Sequence, residues 1–153
     1  MTDLDALDIR ILDILQENAR ITTLELAEKV GLSPTPCARR VKRLEDDGLI
    51  ERYVTLLNAK LAGQDLSVFI SVRLRNQTIE TIENFERSVR DMKEISECYL
   101  VSGANDYLLR VRVRDVEALR DFLRNRLVTI EGIAETHSTI VLEKVKYTTA
   151  LSL

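Results

Sequence analysis

The sequence contains few of the residues from which metal and redox sites are built. Its two cysteines, Cys37 and Cys98, lie far apart and outside any CxxC motif, and its one histidine is His137. A zinc site of cysteine and histidine needs four such ligands, so the composition excludes that class of site. We therefore expect no metal, and a reducing cytoplasm is the simplest compartment for two unpaired thiols.

Long apolar runs and enzyme motifs are missing as well. No apolar stretch approaches the length that spans a membrane, and an N-terminus carrying Asp3, Asp5 and Asp8 is unlike a signal peptide. The chain has no Walker A loop, no GxGxxG and no nucleophile elbow, and His137 is interpreted as a surface or packing residue. These absences predict a cytoplasmic protein that is not an enzyme, uses no cofactor and has no membrane partner.

Acidic residues slightly outnumber basic ones overall, but basic residues are concentrated in one segment. The 153 residues are 45% hydrophobic and 31% charged, with a formal net charge of −3, which suits one domain or two small ones. Residues 1–28 hold seven carboxylates and two arginines, whereas four of the five residues from Arg39 to Arg43 are basic. Such a chain is not a general polycationic binder, so any DNA contact has to come from this patch or from patches arrayed on an oligomer.

Three short helices are predicted around this patch. The first covers residues 5–18, where apolar residues recur at three- and four-residue spacing. Thr22 and Glu25 form a capping box for the second helix, which stops at Gly31. Ser33 can cap a third helix that begins with a proline. Two short helices joined by a glycine-containing turn are typical of a helix-turn-helix motif.

The predicted third helix has an apolar side and a cationic side. Cys37, Val41 and Leu44 cluster inward at 100° per residue. Arg39 lies near the start of the outer side, where a recognition helix meets base edges, so it could pair with guanine, while the other cations suit phosphates. The alternative is a merely solvated charged face, and the preceding capped helix and glycine turn favour DNA. The predicted DNA-contact residues are Thr23, Ser33, Thr35, Ala38, Arg39, Arg40, Lys42 and Arg43.

The remainder of the chain predicts strands that alternate with helices. Leu49–Val54 is interpreted as a short strand, either a wing or the start of a linker. From Leu66 the apolar period changes to two, and the order β-α-β-β-α-β is typical of a ferredoxin-like sheet. Its helices are predicted to turn Ile79 and Val116 inward. The fold class is therefore α+β, with a helix-turn-helix domain at 1–52, a linker strand and hinge at 53–65, and a ferredoxin-like domain at 66–153.

The segment Gly103–Asp106 is predicted to be a hairpin turn. Its backbone N–H groups could hold a carboxylate and Asp106 an ammonium group, which are the two ends of an amino acid. The alternative is an ordinary turn. The sheet face away from the helices carries polar residues such as Ser71, Arg73 and Arg110, which is typical of self-association or of a small-ligand site.

Several stretches combine into a more specific pattern. They are SPTPC at 33–37, RVKRLE at 40–45, GLI at 48–50, LN at 57–58, ECYLVSG at 97–103 and DYLLR at 106–110. Together they resemble the Lrp/AsnC family of bacterial and archaeal regulators over essentially the whole chain, closest to its leucine-responsive branch.

The resemblance implies an N-terminal winged helix-turn-helix and a C-terminal domain that binds an amino acid. It implies homodimers, formed through the linker strand and the sheets, that assemble to an octamer with the effector between dimers. Many relatives carry an acidic residue and an aromatic where this chain has Ala104 and Asn105, so leucine is not carried over as the effector. The implied effector-binding residues are Tyr99, Leu100, Val101, Gly103, Ala104, Asn105, Asp106, Thr136 and Ser138.

The sequence thus predicts a transcriptional regulator that binds double-stranded DNA and is modulated by an amino acid. One rival is an architectural DNA-compacting protein without an effector, which the Gly103–Asp106 hairpin disfavours. The other is an amino-acid-binding regulatory subunit of an enzyme, which the cationic third helix disfavours.

Overall fold

The computed structural model describes residues 4–153, so Asp3 of the acidic N-terminus lies outside the described residues. They form two compact units. The first contains the chain up to Leu56 together with Lys146–Leu153, and the second contains Leu57–Val145. The C-terminal segment belongs to the first unit because the Gln16 amide exchanges two hydrogen bonds, 2.6 and 3.1 Å long, with the backbone of Leu151. Within residues 4–153, no helix combines the length and the apolar character that crossing a membrane requires.

Three helices build the first unit, as predicted. The Asp5 and Thr22 side chains cap the first two, each within a capping box, and Gly31 ends the second with a φ of 74°. Ser33 occupies the N-cap of the third helix but makes no side-chain capping hydrogen bond. Pro36, at the third helical position, has no N–H to donate, so one of the two usual capping donors is missing. The helices are α1 (Ala6–Glu17), α2 (Thr23–Val30) and α3 (Pro34–Asp46).

The small core between these helices is apolar except at one position. The inward side predicted for α3 is confirmed at Cys37 and Leu44, which are fully buried, and Val41 packs against the same cluster. Burial of these side chains supplies most of the stability of such a short-helix unit. The buried apolar residues are Ile11, Leu12, Leu26, Ala27, Val30, Cys37 and Leu44.

The strand predicted over Leu49–Val54 was wrong for the single chain. The N–H groups of Leu49 and Ile50 both donate to the Leu44 carbonyl, 3.0 Å away. The start of this segment therefore caps the C-terminal end of α3. Among the described residues no strand pairs with positions 49–58. A strand needs a hydrogen-bonded neighbour, and none is present here. Tyr53 instead donates its hydroxyl proton to Glu45, at 2.8 Å.

The second unit is an antiparallel sheet with helices on one face, and the predicted order β-α-β-β-α-β is confirmed. The strands lie in the order β2-β3-β1-β4, a ferredoxin-like arrangement. The elements are β1 (Leu66–Leu74), α4 (Ile79–Arg90), β2 (Ile95–Leu100), β3 (Tyr107–Val113), α5 (Val116–Phe122), a π-helical turn (Leu123–Leu127) and β4 (Ile133–Ile140).

The core of this unit lies between the sheet and its helices. Alternate residues of β1 and β3 pack with Phe85 of α4 and with Leu119 and Phe122 of α5. Two positions were predicted to face this core and do not. Ile79 is 76% exposed and Val116 is 62% exposed. Each is the first residue of its helix, where the turn that would cover it has not yet formed, so the apolar stripe begins one turn later.

The opposite face of the sheet is open and half polar, as predicted. Arg110 on β3 lies over the Phe69 ring, 5.7 Å from its centroid, and bonds to Glu97 on β2 at 2.9 Å. Arg73 pairs with Glu135 of β4 at 2.6 Å. Ion pairs and a cation–π contact therefore cover this face in place of a second apolar core.

Candidate DNA-binding and effector sites

The outward side of α3 is a polar and cationic surface. Because Cys37, Val41 and Leu44 form the inner side, the polar and charged residues of this helix lie on its outer side. Arg40 is the one member of the predicted set that is half-buried. Thr23 and Ser33 are exposed at the first position of α2 and the N-cap of α3. The other exposed members are Thr35, Ala38, Arg39, Lys42 and Arg43.

The four cations of α3 are not equivalent. Arg40 Nη1 contacts the carboxylates of Asp5, at 2.7 Å, and Asp8, at 2.8 Å. Arg43 Nη2 contacts the other Asp8 oxygen at 2.5 Å. Lys42 pairs with Asp46 one turn along the same helix, at 3.1 Å, and both side chains are exposed.

Arg39 is the one cation of α3 that forms no ion pair with any residue within 4–153, and it is exposed near the N-terminal end of the helix. An unpaired guanidinium at this place can offer two parallel N–H groups to the O6 and N7 of a guanine. The geometry therefore fits the contact predicted for this residue.

Electrostatics tie the start of α1 to α3. The pKa of the Asp5 carboxyl is lowered, first because it accepts the backbone N–H of Asp8 and next because it accepts a hydrogen bond from Arg40. The pKa of Arg40 is raised by its hydrogen bonds to Asp5 and then Asp8. The sequence analysis did not identify the contact of Asp5 and Asp8 with α3, since the partners are more than thirty residues apart.

Burial raises the pKa of the Cys37 thiol, so this group is a packing residue and not a nucleophile. The pKa of Cys98 is raised as well, first by burial and next by Glu86. Among the described residues no three His, Cys, Asp or Glu side chains cluster in a way that could hold a metal ion.

The Gly103–Asp106 segment forms the predicted turn between β2 and β3. Gly103 has a φ of 125°, which residues with a Cβ rarely adopt. The turn is closed by Val101 donating to the Asp106 carbonyl at 2.9 Å, and it is joined to β1 by Asp106 donating to the Val72 carbonyl at 2.9 Å. The N–H groups of Gly103, Ala104 and Asn105 make no hydrogen bond to any residue within 4–153.

The Asp106 carboxylate already holds two donors. One oxygen accepts the Leu74 N–H at 2.7 Å and the other accepts the Gln77 side-chain amide at 2.8 Å. Asp106 therefore fastens the end of β1 to the hairpin, a structural role that sequence reasoning missed. Gln77 is also new to the site, and nothing in its sequence context distinguishes it from an ordinary loop residue.

A cleft of 470 Å³ opens beside the hairpin. Leu100, Val101 and Asp106 of the predicted effector set line it. Its other walls are apolar residues of β1 and α4, namely Leu74 and Ile82, together with Gln77, Ser102 and Tyr107. Tyr107 also donates to Glu86 at 2.9 Å, and burial followed by that contact raises its pKa.

The structure does not bring the remaining predicted effector residues into this cleft. Tyr99 points to the open sheet face, where its hydroxyl donates to Glu97 at 3.0 Å. Thr136 and Ser138 lie on β4, which β1 and β3 separate from β2. Within one chain these three residues and the hairpin do not form one pocket, so their role stays a prediction that concerns an assembly.

Comparison with known proteins matches each unit. Residues 4–51 match the winged helix-turn-helix DNA-binding family, and residues 67–151 match the Lrp/AsnC ligand binding domain. The leucine-responsive regulatory protein of Haemophilus influenzae is 44% identical over 150 residues, which are 98% of this chain and 90% of the relative. That of Escherichia coli is 43% identical over 149 residues, with 97% and 91% covered.

Solved structures agree over nearly the full length. A transcriptional regulator from Neisseria meningitidis, solved as a complex with L-Met, has a TM-score of 0.95 and 40% identity, with 98% of this chain and 97% of that chain covered. An AsnC family regulator from Agrobacterium tumefaciens has a TM-score of 0.93 and 42% identity, with 97% of both chains covered. Since both units match and the curated relatives are aligned almost end to end, this chain belongs to the Lrp/AsnC family of DNA-binding transcriptional regulators.

Proposed function

We propose that the chain works as a homodimer that assembles to an octamer, and that an amino acid bound at the Gly103–Asp106 hairpin modulates its binding to double-stranded DNA. The effector would lie between dimers. The protein needs no cofactor or metal for this task, is not an enzyme and acts in the cytoplasm.

The unpaired N–H groups at the hairpin carry the proposal. The N–H groups of Gly103, Ala104 and Asn105 are three successive donors without a hydrogen-bond partner within residues 4–153, and the next residue supplies one carboxylate. Successive backbone N–H groups form a concave site for an anion, here the α-carboxylate of the ligand. Asp106 supplies the opposite charge for the ammonium group within the same turn.

The occupied Asp106 carboxylate is compatible with this role. Each carboxylate oxygen has two lone pairs, and each accepts one hydrogen bond in the free chain. An ammonium group can therefore use a second lone pair, or take the place of the exposed Gln77 amide. The Leu74 bond can persist, so that the ligand does not need to break the link between β1 and the hairpin.

The walls of the cleft favour an apolar ligand side chain. Leu74, Ile82, Leu100 and Val101 surround the space next to the turn. The Neisseria relative was solved with L-Met, and curated relatives are named as leucine-responsive, so both point to the same class of ligand. We propose an apolar amino acid without naming one.

On the DNA side, we propose that Thr35, Ala38 and Arg39 meet base edges and that Lys42 meets phosphate. The first three lie near the N-terminal end of α3, which is the end that enters the major groove in helix-turn-helix proteins. Thr23 and Ser33 are exposed at the starts of α2 and α3. We propose that their hydroxyls donate to phosphates.

The test is a thermal-shift panel of the twenty amino acids on the full chain, followed by calorimetry. We expect at least one apolar amino acid to raise the melting temperature. Asp106→Ala should lower its affinity some ten- to a hundredfold, since losing a charge-assisted pair costs roughly 1.5–3 kcal/mol. DNA binding should be largely retained.

Asp115→Ala is the matched control, because it removes a carboxylate from the start of α5, where Asp115 accepts the Ala118 N–H at 2.8 Å. It should leave ligand affinity unchanged. Equal affinity in wild type and Asp106→Ala would show that the hairpin is structural. If no amino acid binds, the architectural DNA-compacting protein becomes the better hypothesis.

A further inference from the structure

Asp8 is the one charged side chain that is buried among the described residues, with 1% of its surface exposed. It belongs to the capping box of α1, where its carboxylate accepts the Asp5 N–H at 3.3 Å. A capping residue does not need burial, and a buried carboxylate is costly unless cations pair with it. Both of its cations come from α3.

The contacts of Asp8 divide the cations of α3 into two kinds. One Asp8 carboxylate oxygen accepts a hydrogen bond from Arg40, at 2.8 Å, and the other accepts one from Arg43, at 2.5 Å. Arg40 is 26% exposed and is also held by Asp5, so its charge is neutralised within the protein. Lys42, in contrast, is 73% exposed and pairs only with exposed Asp46 on its own helix.

Two hydrogen-bonded arginines one turn apart, held by one immobile carboxylate, fix the rotation of α3 about its own axis. That rotation decides which side chains face a base edge. Sequence-specific contacts depend on it, because hydrogen bonds tolerate little misalignment. Non-specific binding depends only on the number of available cations.

We propose that Asp8 is a positioning residue for DNA recognition, and that Arg40 and Arg43 brace α3 against α1 through it and are not the main phosphate contacts. This inference rests on α3 being the helix that reads DNA. It changes the sequence-based expectation that Arg40 and Arg43 serve phosphates.

The first experiment compares Arg40→Gln with Lys42→Gln in the full chain. Binding is measured from low to moderate salt on a duplex that the wild-type protein selects from a random-sequence pool, and on a scrambled duplex of equal length. Both variants lose one positive charge from α3. Lys42→Gln should weaken binding to both duplexes alike. It should also lower the salt slope, the steepness with which the logarithm of the binding constant falls with the logarithm of the salt concentration, by about one. Arg40→Gln should keep the slope and lose about tenfold in affinity on the selected duplex alone.

The second experiment compares Asp8→Asn with Asp46→Asn. Asp8→Asn removes a negative charge that pairs with Arg40 and Arg43, and Asp46→Asn removes one that pairs with Lys42, so both should bind the scrambled duplex more tightly. The ratio of selected to scrambled affinity should fall at least tenfold in Asp8→Asn and stay unchanged in Asp46→Asn. Circular dichroism verifies folding at the assay temperature. If Asp8→Asn does not fold, the result for Arg40→Gln decides.

Two outcomes would overturn the proposal, and they are distinguishable. If Arg40→Gln lowers the salt slope by about one and weakens both duplexes alike, Arg40 is an ordinary phosphate contact and the brace is wrong while the DNA-reading role of α3 stands. If Arg39→Ala, measured in parallel, binds both duplexes like wild type, α3 is not the reader and the proposed DNA contacts fail together with the brace.

Discussion

At the scale of single residues, Gly132 shows how tightly one position can be constrained. Its φ is 100°, and a Cβ placed there would lie 2.6 Å from Thr81 Cγ2. Gly132→Ala should therefore lose roughly 1–3 kcal/mol of stability from backbone strain and more from the clash. Urea denaturation measures this loss. Thr81→Ser, combined with Gly132→Ala, removes the clashing methyl group. The double variant should regain the stability that was lost to the clash.

Gly63→Ala is the matched control, since Gly63 has a φ of 72° and open space around its Cβ direction. Gly63→Ala should lose only the stability that backbone strain costs. Equal losses in both variants would mean that the Thr81 contact is relieved by movement. No sequence pattern indicates this contact, because Thr81 and Gly132 are far apart in the chain. The roles of Asp8 and Gln77 escaped sequence reasoning for the same reason.

At the scale of elements, three helices have a carboxylate with a lowered pKa at the N-cap or in the first turn. The main cause is the Asp8 N–H for Asp5, the Thr22 hydroxyl for Glu25 and the Ala118 N–H for Asp115. A carboxyl group whose pKa is lower in the folded chain than in the unfolded chain stabilises the folded state. This stabilisation is complete at a pH above the unfolded pKa, which is about 4. This stabilisation is lost as the pH falls through the folded value. We therefore expect helix content to fall below pH 4.

Glu25→Gln tests this at one cap. Its melting temperature should depend less steeply on pH between about 2.5 and 4.5 than that of the wild type. Glu28→Gln on the same helix is the control, because the Glu28 side chain caps nothing in the described part of the chain. Parallel pH curves for wild type and Glu25→Gln would show that the capping box does not contribute to acid sensitivity.

These caps were also the most predictable elements. Thr22 caps α2 where its short-range pattern with Glu25 predicts it, and Asp5, Thr78 and Asp115 cap their helices through the same kind of local hydrogen bond. Local hydrogen bonds decide a cap, so a few neighbouring residues contain the information. The strand predicted at Leu49–Val54 failed because a strand is defined by a partner elsewhere. The π-helical turn after α5 had no local signal either.

At the scale of the whole molecule, the segment that lacks a strand partner is also unusually apolar. Tyr53, Val54 and Leu56 are 49%, 63% and 61% exposed. Free backbone donors and acceptors beside exposed apolar side chains are typical of a segment that pairs with another chain. The sequence predicted self-association through this segment because of its resemblance to a family. The structure of the single chain adds that the apolar side chains and the backbone of this segment are left exposed.

Self-association is the last prediction. Light scattering should give multiples of the 17.5 kDa chain, and Val54→Asp should shift the mass toward the monomer, because burying an unpaired carboxylate in an apolar interface is costly. Val116→Asp introduces the same charge at a similarly exposed apolar residue and should leave the mass unchanged.

A dimer sets two recognition helices about 34–36 Å apart, so the selected DNA site should be palindromic and Val54→Asp should bind it weakly. A wild-type monomer that binds this site tightly would contradict both the assembly and the symmetry of the site.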